Sequence, residues 1–272
     1  MDIKQTSSDR FTADRSNYVK HKSMGFLHLH NFYEFYYLLE GNRKYFIDSA
    51  IYSLEAGDLV IVPPNTIHRS IGDDAGYYSR ALLNIPPHLF ESEFMKEFSL
   101  NEGEHVIKIP AKRRKFFEAM LEKIDYEYGR NDEHSEYLIR SYVNEVLIFL
   151  IRIKRRKDFS YADKEADRVI GEAASFIREN FDKPLTLDIV AQHVRMSKTY
   201  FCKMFREKTG FGFSDYLAGV RITEAAKMLT DSDMDITNIA TKCGFNDSSY
   251  FATVFKRIKG VTPVKYRKSR EI

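Results

Sequence analysis

Apolar residues recur along this chain with two periods. From Gly25 to residue 84 they come in short runs rich in Phe, Tyr, Ile and Val, broken by turn residues. Candidate strands fall at 26–30, 33–39, 43–48, 51–54, 58–62, 66–71 and 77–84. Glu40-Gly41-Asn42 and Glu55-Ala56-Gly57-Asp58 read as turns. Pro63-Pro64-Asn65 ends a strand, because proline cannot donate to a central ladder. Many short strands with regular turns predict a sandwich or small barrel. Residues 1–20 are polar and read as a loose arm or a first edge strand, and His88 to Phe98 reads as a short helical piece. From residue 112 the spacing becomes helical. Lys112 to Tyr128 carries Phe116, Phe117, Met120, Leu121 and Ile124 on one stripe, and Ser135 to Ile153 carries Leu138, Tyr142, Val146, Leu147, Phe149, Leu150 and Ile151. The second stripe is wider than one packed flank requires, so part of it is expected against a partner subunit. The alternative is that both helices bury a single core.

The clearest pattern lies at Asp235 to Gly260, which reads as helix, tight turn, helix. Asp235 is placed to cap the first helix and Asp247 or Ser248 the second. Phe251, Val254, Phe255 and Ile258 form one face of the second helix, and Ser249, Ala252, Thr253 and Lys256 the opposite one. A small, hydrogen-bonding, cationic face suits a helix entering a major groove, where carboxylates are repelled. A second copy stands fifty residues earlier, Thr186 to Gly210: Tyr200-Phe201 answers Tyr250-Phe251, Phe205 answers Phe255, Gly210 answers Gly260, and Tyr216 answers Tyr266. Before the turn the offset is forty-nine, so the later copy has one extra residue in its turn. Phe201, Met204 and Phe205 form the inward face of the first copy, and Thr199, Cys202, Lys203 and Arg206 the outward face. A helix from Ser214 to Leu229 connects the copies and spans roughly 24 Å at 1.5 Å per residue. With the width of the two units added, reading helices roughly 34 Å apart, one turn of duplex, are within reach.

Residues 168–270 resemble the DNA-binding domain of the AraC/XylS family of transcription regulators. The matching features are the doubled motif, SKTYFCKMFREKTG, the YLAGVRITEAAKML helix, and IATKCGFNDSSYFATVFKRIKGVTPVKYR with its terminal PxxYR. The resemblance implies a seven-helix module that binds promoter DNA with both recognition helices. Two positions depart from the family's usual pattern: Thr199 stands where a large aromatic is frequent and Lys203 where an arginine is frequent. Thr199, Cys202, Lys203 and Arg206 in the first unit, and Ser248, Ser249 and Thr253 in the second, are the expected base contacts. Helix N-termini at Ser197 and Asp247 approach phosphates, and Lys198 and Lys256 are the phosphate candidates.

Composition supports a division of labour. Residues 168–272 hold 18 Lys+Arg against 12 Asp+Glu, a net +6, while the rest holds 24 against 27, a net −3. A basic part beside an acidic one fits one nucleic-acid module and one module with another task. The two cysteines, Cys202 and Cys243, make neither a disulfide framework nor a CxxC metal site, which suits a reducing compartment. No apolar run approaches 18 residues and the N-terminus lacks a signal-peptide core, so a cytoplasmic protein that avoids membranes is expected.

A second constellation lies in the strand-rich part: His28-x-His30-x3-Glu34-x6-Gly41, then Gly57-x5-Pro63-x-Asn65-x2-His68. His28 and His30 are two apart, so on a strand they share a face, and Glu34 joins them if the strand is continuous. Three imidazoles and a carboxylate make a plausible site for Fe, Mn, Ni or Zn. The spacing is similar to the two motifs of the cupin family over about residues 20–90, which implies a barrel with a central pocket and identifies His68 as the fourth partner. The alternative is that His28, His30, Glu34 and His68 line a ligand pocket without a metal. Tyr36 and Leu38 share the side of Glu34, aromatic walls suit stacking on a sugar, and Arg80 is placed to meet an anionic or hydroxylated ligand or to lie on the surface.

The expected architecture is therefore α+β: a cupin-like barrel with flanking helices for sensing and dimerisation at 1–157, a polar linker at 158–167, and an all-α DNA-binding domain at 168–272. The expected function is a homodimeric, non-enzymatic transcription regulator, answering a sugar or oligosaccharide and activating through RNA polymerase. No cofactor is required, and a divalent metal on His28, His30, Glu34 and His68 is the one candidate. A metal-dependent cupin enzyme fused to a DNA-binding domain, and a constitutive regulator whose barrel only dimerises, are the alternatives.

Overall fold

The structure is a computed structural model and describes residues 10–18, 29–71, 77–98, 105–155, 160–161, 164–165 and 168–268. His28 and most of the expected strand at 26–30 lie outside the described residues.

The N-terminal part is built from two antiparallel sheets. The first contains β1 (Thr12–Tyr18), β7 (Tyr78–Ile85), β2 (Tyr33–Glu40), β5 (Asp58–Val62), β8 (Val106–Lys108) and β9 (Ser160–Tyr161), in that order. The second runs β10 (Lys164–Glu165), β4 (Ala50–Glu55), β3 (Asn42–Ile47), β6 (His68–Ile71). Among the described residues the sheets are not closed on one another, so of the sandwich and the small barrel that the strand pattern allows they form a sandwich, and the cupin-like barrel is not shown. The region read as a plain linker supplies one short strand to each sheet, Ser160–Tyr161 against β8 and Lys164–Glu165 against β4.

Alternation along the strands sorts side chains into layers. Tyr36, Leu38, Val60, Val62, Tyr78 and Val106 of the first sheet meet Tyr45, Ile47, Tyr52 and Leu54 of the second, filling the interior. The alternate residues of the first sheet, among them Phe35, Tyr37, Leu59, Ile61 and Leu83, face α1 (Ser92–Phe98), α2 (Ala111–Arg130) and α3 (Ser135–Arg155). Most of the wide stripe of α3, from Ile139 through Val146, Leu147, Leu150 and Ile151, is spent in this core. What stays exposed on the pair is Phe116, Tyr126, Tyr128, Tyr137 and Leu138.

The C-terminal part is helical: α4 (Arg168–Glu179), α5 (Leu187–His193), α6 (Lys198–Thr209), α7 (Phe213–Asp231), α8 (Ile236–Lys242), α9 (Ser248–Lys259) and α10 (Pro263–Lys268). The helix α7 joins two cores. Its Tyr216, Leu217 and Val220 pack with α4–α6, and its Ile222, Ala225, Ala226 and Leu229 pack with α8 and α9. The outer face of the second sheet docks on the first of these cores: Phe46, Ile51 and Ile67 are buried among Ile170, Ile177, Phe211 and Tyr216. The rings of Phe211 and Tyr216 each meet Phe46 edge-on at 5.9 Å. The Tyr216 hydroxyl donates to the Asp48 carbonyl at 2.7 Å, and Arg178 pairs with the Asp48 carboxylate. Among the described residues no helix is long and apolar enough to cross a membrane.

Candidate nucleic-acid interface and buried sensor triad

The two helix-turn-helix units are α5–α6 and α8–α9. Thr186 caps α5 through the Ile189 amide, and Ser197 caps α6 through the Tyr200 amide. Asp235 caps α8 through the Thr237 amide, and Asp247 caps α9 through the Tyr250 amide at 2.6 Å. These bonds satisfy amides that a helix start leaves unpaired. Four residues separate α5 from α6 and five separate α8 from α9, as the repeat offsets require. Both α6 and α9 end on a left-handed glycine, Gly210 and Gly260, whose amides close back on Arg206 and Lys256.

Burial divides each second helix as the sequence pattern predicts. Phe201 and Phe205 are buried and Met204 half-buried, while Thr199, Cys202, Lys203 and Arg206 are exposed. Phe251, Val254 and Phe255 are buried, while Ser248, Ser249, Thr253 and Lys256 are exposed. Along α6 the exposed face forms an open groove of 640 Å³ lined by Leu187, Lys198, Thr199, Cys202, Lys203, Arg206 and Glu207. Two of its cations have carboxylate neighbours: Lys198 Nζ lies 2.7 Å from Asp188, and Lys203 Nζ lies 3.8 Å from Glu207. Such exposed pairs are worth little and open readily toward a phosphate. The Asp247 carboxylate is engaged as a cap, which lowers its cost beside DNA. Cys202 is exposed, whereas burial pushes the Cys243 thiol up to about 12, so Cys243 is an inert core residue.

Tyr200 and Tyr250, matched in the repeat, are not among the DNA contacts the sequence leads one to expect. They occupy equivalent positions in the first turns of α6 and α9 and are 59% and 61% exposed. A large ring left in water twice, at the repeat offset of fifty, was the available signal.

In the sandwich, His30, Glu34 and His68 converge. All three are buried, and one ligand atom from each lies within 4.8 Å of the others. His30 is not on a strand continuous with Glu34, as the sequence spacing suggests. The chain bends at Asn31–Phe32, and β2 begins only at Tyr33. The bend stacks the His30 ring on Phe32 at 3.9 Å and returns its Nε2 to within 3.7 Å of Glu34. His68, the first residue of β6, places Nε2 3.8 Å from Glu34. Each ring presents Nδ1 to a backbone carbonyl at 2.9 Å, Phe32 for His30 and Thr66 for His68. A carbonyl only accepts, so Nδ1 carries a proton whatever the charge of the ring, and Nε2 is the atom turned toward the carboxylate. The Tyr45 hydroxyl donates to Glu34 Oε1 at 2.6 Å. Burial alone would raise the Glu34 carboxyl, but His68, then His30 and Tyr45, hold it well below the usual carboxylate range.

This donor set fits a divalent cation: two imidazole nitrogens and a carboxylate converge, with each second ring nitrogen anchored on a carbonyl as metal-binding histidines commonly are. Tyr36, beside the triad, is buried with Arg80 5.6 Å above its ring. The Arg80 guanidinium bonds the Asp14 carboxylate of β1 at 2.9 Å. A guanidinium the sequence reading passed over, Arg43, is buried over the Tyr78 ring at 4.1 Å and donates to the Ser70 hydroxyl at 2.7 Å.

Known proteins bear on both halves. The family model of the AraC-like ligand-binding domain matches residues 17–139, and a helix-turn-helix domain model matches residues 190–269. The Melibiose operon regulatory protein of Escherichia coli K12 is 26% identical over 257 residues, covering 89% of this chain and 83% of that protein. The HTH-type transcriptional activator RhaR of Mannheimia succiniciproducens is 23% identical over 243 residues, covering 89% of this chain and 86% of that protein. Among solved structures, the C-terminal domain of AraT, a response regulator from Geobacillus stearothermophilus, is 31% identical over 40% of this chain and 90% of that one, with a TM-score of 0.38. A sensor-type sandwich ahead of two helix-turn-helix units, each half matched by its own family model, places the chain in the AraC family of DNA-binding transcription regulators.

Proposed function

We propose that this regulator reads a promoter with α6 and α9 and that a small molecule held in the sandwich controls the reading. The observation that carries the proposal is the matched pair of exposed polar faces, each backed by a buried aromatic face and each begun by a side-chain cap. Thr199, Cys202, Lys203 and Arg206 contact bases in one groove, and Ser248, Ser249 and Thr253 in the next. Lys198 and Lys256 contact phosphates. The effector is a sugar or oligosaccharide. Support comes from the aromatic interior of Tyr36, Tyr45, Tyr52 and Tyr78 around a buried polar set, and from the melibiose operon regulator among the relatives. Activation through RNA polymerase follows the relative named as an activator. Two subunits pair through the remaining exposed apolar residues of α2 and α3.

A direct test is a selection of random duplexes by the full chain, followed by Arg206→Ala and Lys198→Ala. Arg206→Ala should cost roughly 1–3 kcal/mol and relax preference at one base pair. Lys198→Ala should weaken all sequences alike and flatten the salt slope by about one. A sequence-selective loss with Lys198→Ala sinks its phosphate role.

The triad supports a second reading, a divalent ion held by His30, Glu34 and His68, with His28 outside the described residues. When bound, such an ion supplies fixed positive charge and Lewis acidity to a hydroxylated ligand. Tyr45 and the two carbonyls orient the ligands. Metal analysis of untagged protein tests it: a stoichiometric ion lost in Glu34→Gln supports the site, and none in the wild-type chain removes it.

A further inference from the structure

We propose that Asn65 and Arg69 of the sensor domain are positioning residues for DNA recognition, setting the separation of the two reading helices. The inference rests on the reading that α6 and α9 both enter DNA.

Asn65 lies in the loop from β5 to β6, and Arg69 is the second residue of β6. Four residues apart, they reach the C-terminal ends of two helices that stand fifty residues apart in sequence. The Arg69 guanidinium donates to the carbonyl of Gly210, the residue that ends α6. The Asn65 carbonyl oxygen accepts from Lys259 Nζ at 2.5 Å, and Lys259 is the last residue of α9, next to Gly260. The Asn65 side chain also hydrogen-bonds Tyr266, the repeat partner of Tyr216, whose own hydroxyl holds the Asp48 carbonyl. Both units are thus tied to the sensor near the C-terminal ends of their second helices, α6 through a backbone carbonyl and α9 through the Lys259 side chain.

The chemistry suits the places. A cation at a helix C-terminus meets unsatisfied carbonyls and the negative end of the dipole. Asn65 adopts φ 62°, a left-handed conformation that asparagine tolerates better than most residues, and this turns its amide out of the loop. Neither contact covers a reading face: the outward residues of α6 and α9 remain exposed with the sensor docked.

Apart from these contacts, the units are joined by α7 and by the segment at Phe181, which packs in both cores and lies against the turn at Gly244. The two contacts from the sensor add a tie outside the helical domain to those within it. Spacing is unforgiving on DNA, since one base pair shifts the second groove by roughly 3.4 Å and rotates it by roughly 35°. The clamp is also fastened to the triad. The Asn65 amide donates to the His30 carbonyl at 2.7 Å, and His68 Nδ1 bonds the Thr66 carbonyl at 2.9 Å. Triad and clamp therefore share one hydrogen-bonded segment.

The test uses the full chain and the duplex it selects from a random library, together with versions carrying one, two or five extra base pairs between half-sites, and an isolated half-site. The variant is Asn65→Gly with Arg69→Met, which keeps the left-handed backbone and an apolar stem. Wild-type affinity should fall about tenfold or more on a two-base-pair insertion, while the variant should fall less than about threefold and bind the isolated half-site within about twofold of wild type. An unchanged spacing profile in the variant overturns the proposal, as does a wild-type chain indifferent to spacing or a proportional loss on the isolated half-site. Thr253→Ala with Lys256→Ala separates the two levels. If that variant loses nothing on any duplex, the two-helix reading fails. If it loses affinity while the clamp variant keeps the wild-type profile, the clamp alone fails. Pulsed EPR on the single Asn65→Gly chain, with labels at Glu207→Cys and Arg257→Cys in a Cys202→Ser background, covers poor folding of the double variant. The distance distribution should broaden relative to wild type, and an identical one overturns the proposal.

Discussion

Arg195 and Gly244 hold the same position in the turns of the two helix-turn-helix units, and both are left-handed, with φ of 57° and 80°. Glycine adopts this conformation without steric cost, whereas an L side chain is strained there. Arg195→Gly should therefore raise stability by about 0.5–1 kcal/mol in urea unfolding, net of the glycine's greater freedom in the unfolded chain. Gly244→Ala should do the reverse and cost about 1–3 kcal/mol. Besides the unfavourable φ, its Cβ would lie 2.8 Å from the Phe181 carbonyl oxygen and 2.9 Å from that of Asp182. Equal stabilities for the two alanine- and glycine-bearing chains and wild type would contradict this account of the turns.

Asp247 caps α9 at the end expected to approach phosphates. Asp247→Asn keeps a capping oxygen and removes the charge. Stability should change by less than about 0.5 kcal/mol, while DNA affinity at low salt should rise a few-fold. An unchanged affinity would place that end of α9 away from the backbone.

Much of this was legible in the sequence, and the limits have physical causes. The helix-turn-helix units announce themselves because helical periodicity, capping residues and C-terminal glycines repeat together. Tyr36 and Leu38 fall inside with Glu34 because β2 alternates as expected. The bend at Asn31–Phe32 was not legible, because two histidines with strand spacing look the same whether the chain runs straight or turns back. The strand Thr12–Tyr18 is polar, as suits a sheet edge; its sequence leaves a loose arm and a first edge strand open, and its pairing with β7 makes it the edge strand. Docking of the sheet on the helical domain escaped for another reason. Phe46, Ile51 and Ile67 mark an apolar outer face, but a strand apolar on both faces does not say what covers the second. Residues Ser160–Tyr161 and Lys164–Glu165 look like linker because two-residue strands draw their stability from the sheet they join.

Lys259 sits at the junction of sensor and second unit, and burial pushes its ammonium down to about 8 from 10.5. The unfolded chain then holds more proton than the folded one between those values, so stability from this residue rises as pH climbs through that window and is lower below it. Stability of the wild-type chain relative to Lys259→Met should rise between pH 8 and 10 in matched denaturation curves. A pH-independent difference would show that Lys259 is solvated.

Tyr45 donates to a buried carboxylate, and burial, followed by the Glu34 charge, keeps its hydroxyl protonated far above neutral pH. Tyr45→Phe should cost about 1.5–3 kcal/mol, the range for a hydrogen bond to a charged group. Glu34→Ala should cost more, about 3–5 kcal/mol, because it strands two buried imidazoles. A neutral outcome for Tyr45→Phe would mean that Glu34 is protonated or held by another group.

The central claim is that two equivalent helices read one stretch of DNA. Selection of random duplexes by the full chain tests it most directly. The account predicts enrichment of two half-sites centred about one helical turn apart, with Arg206→Ala degrading one and Thr253→Ala the other. Enrichment of a single short site touched by only one of these changes, or no enrichment at all, would contradict it.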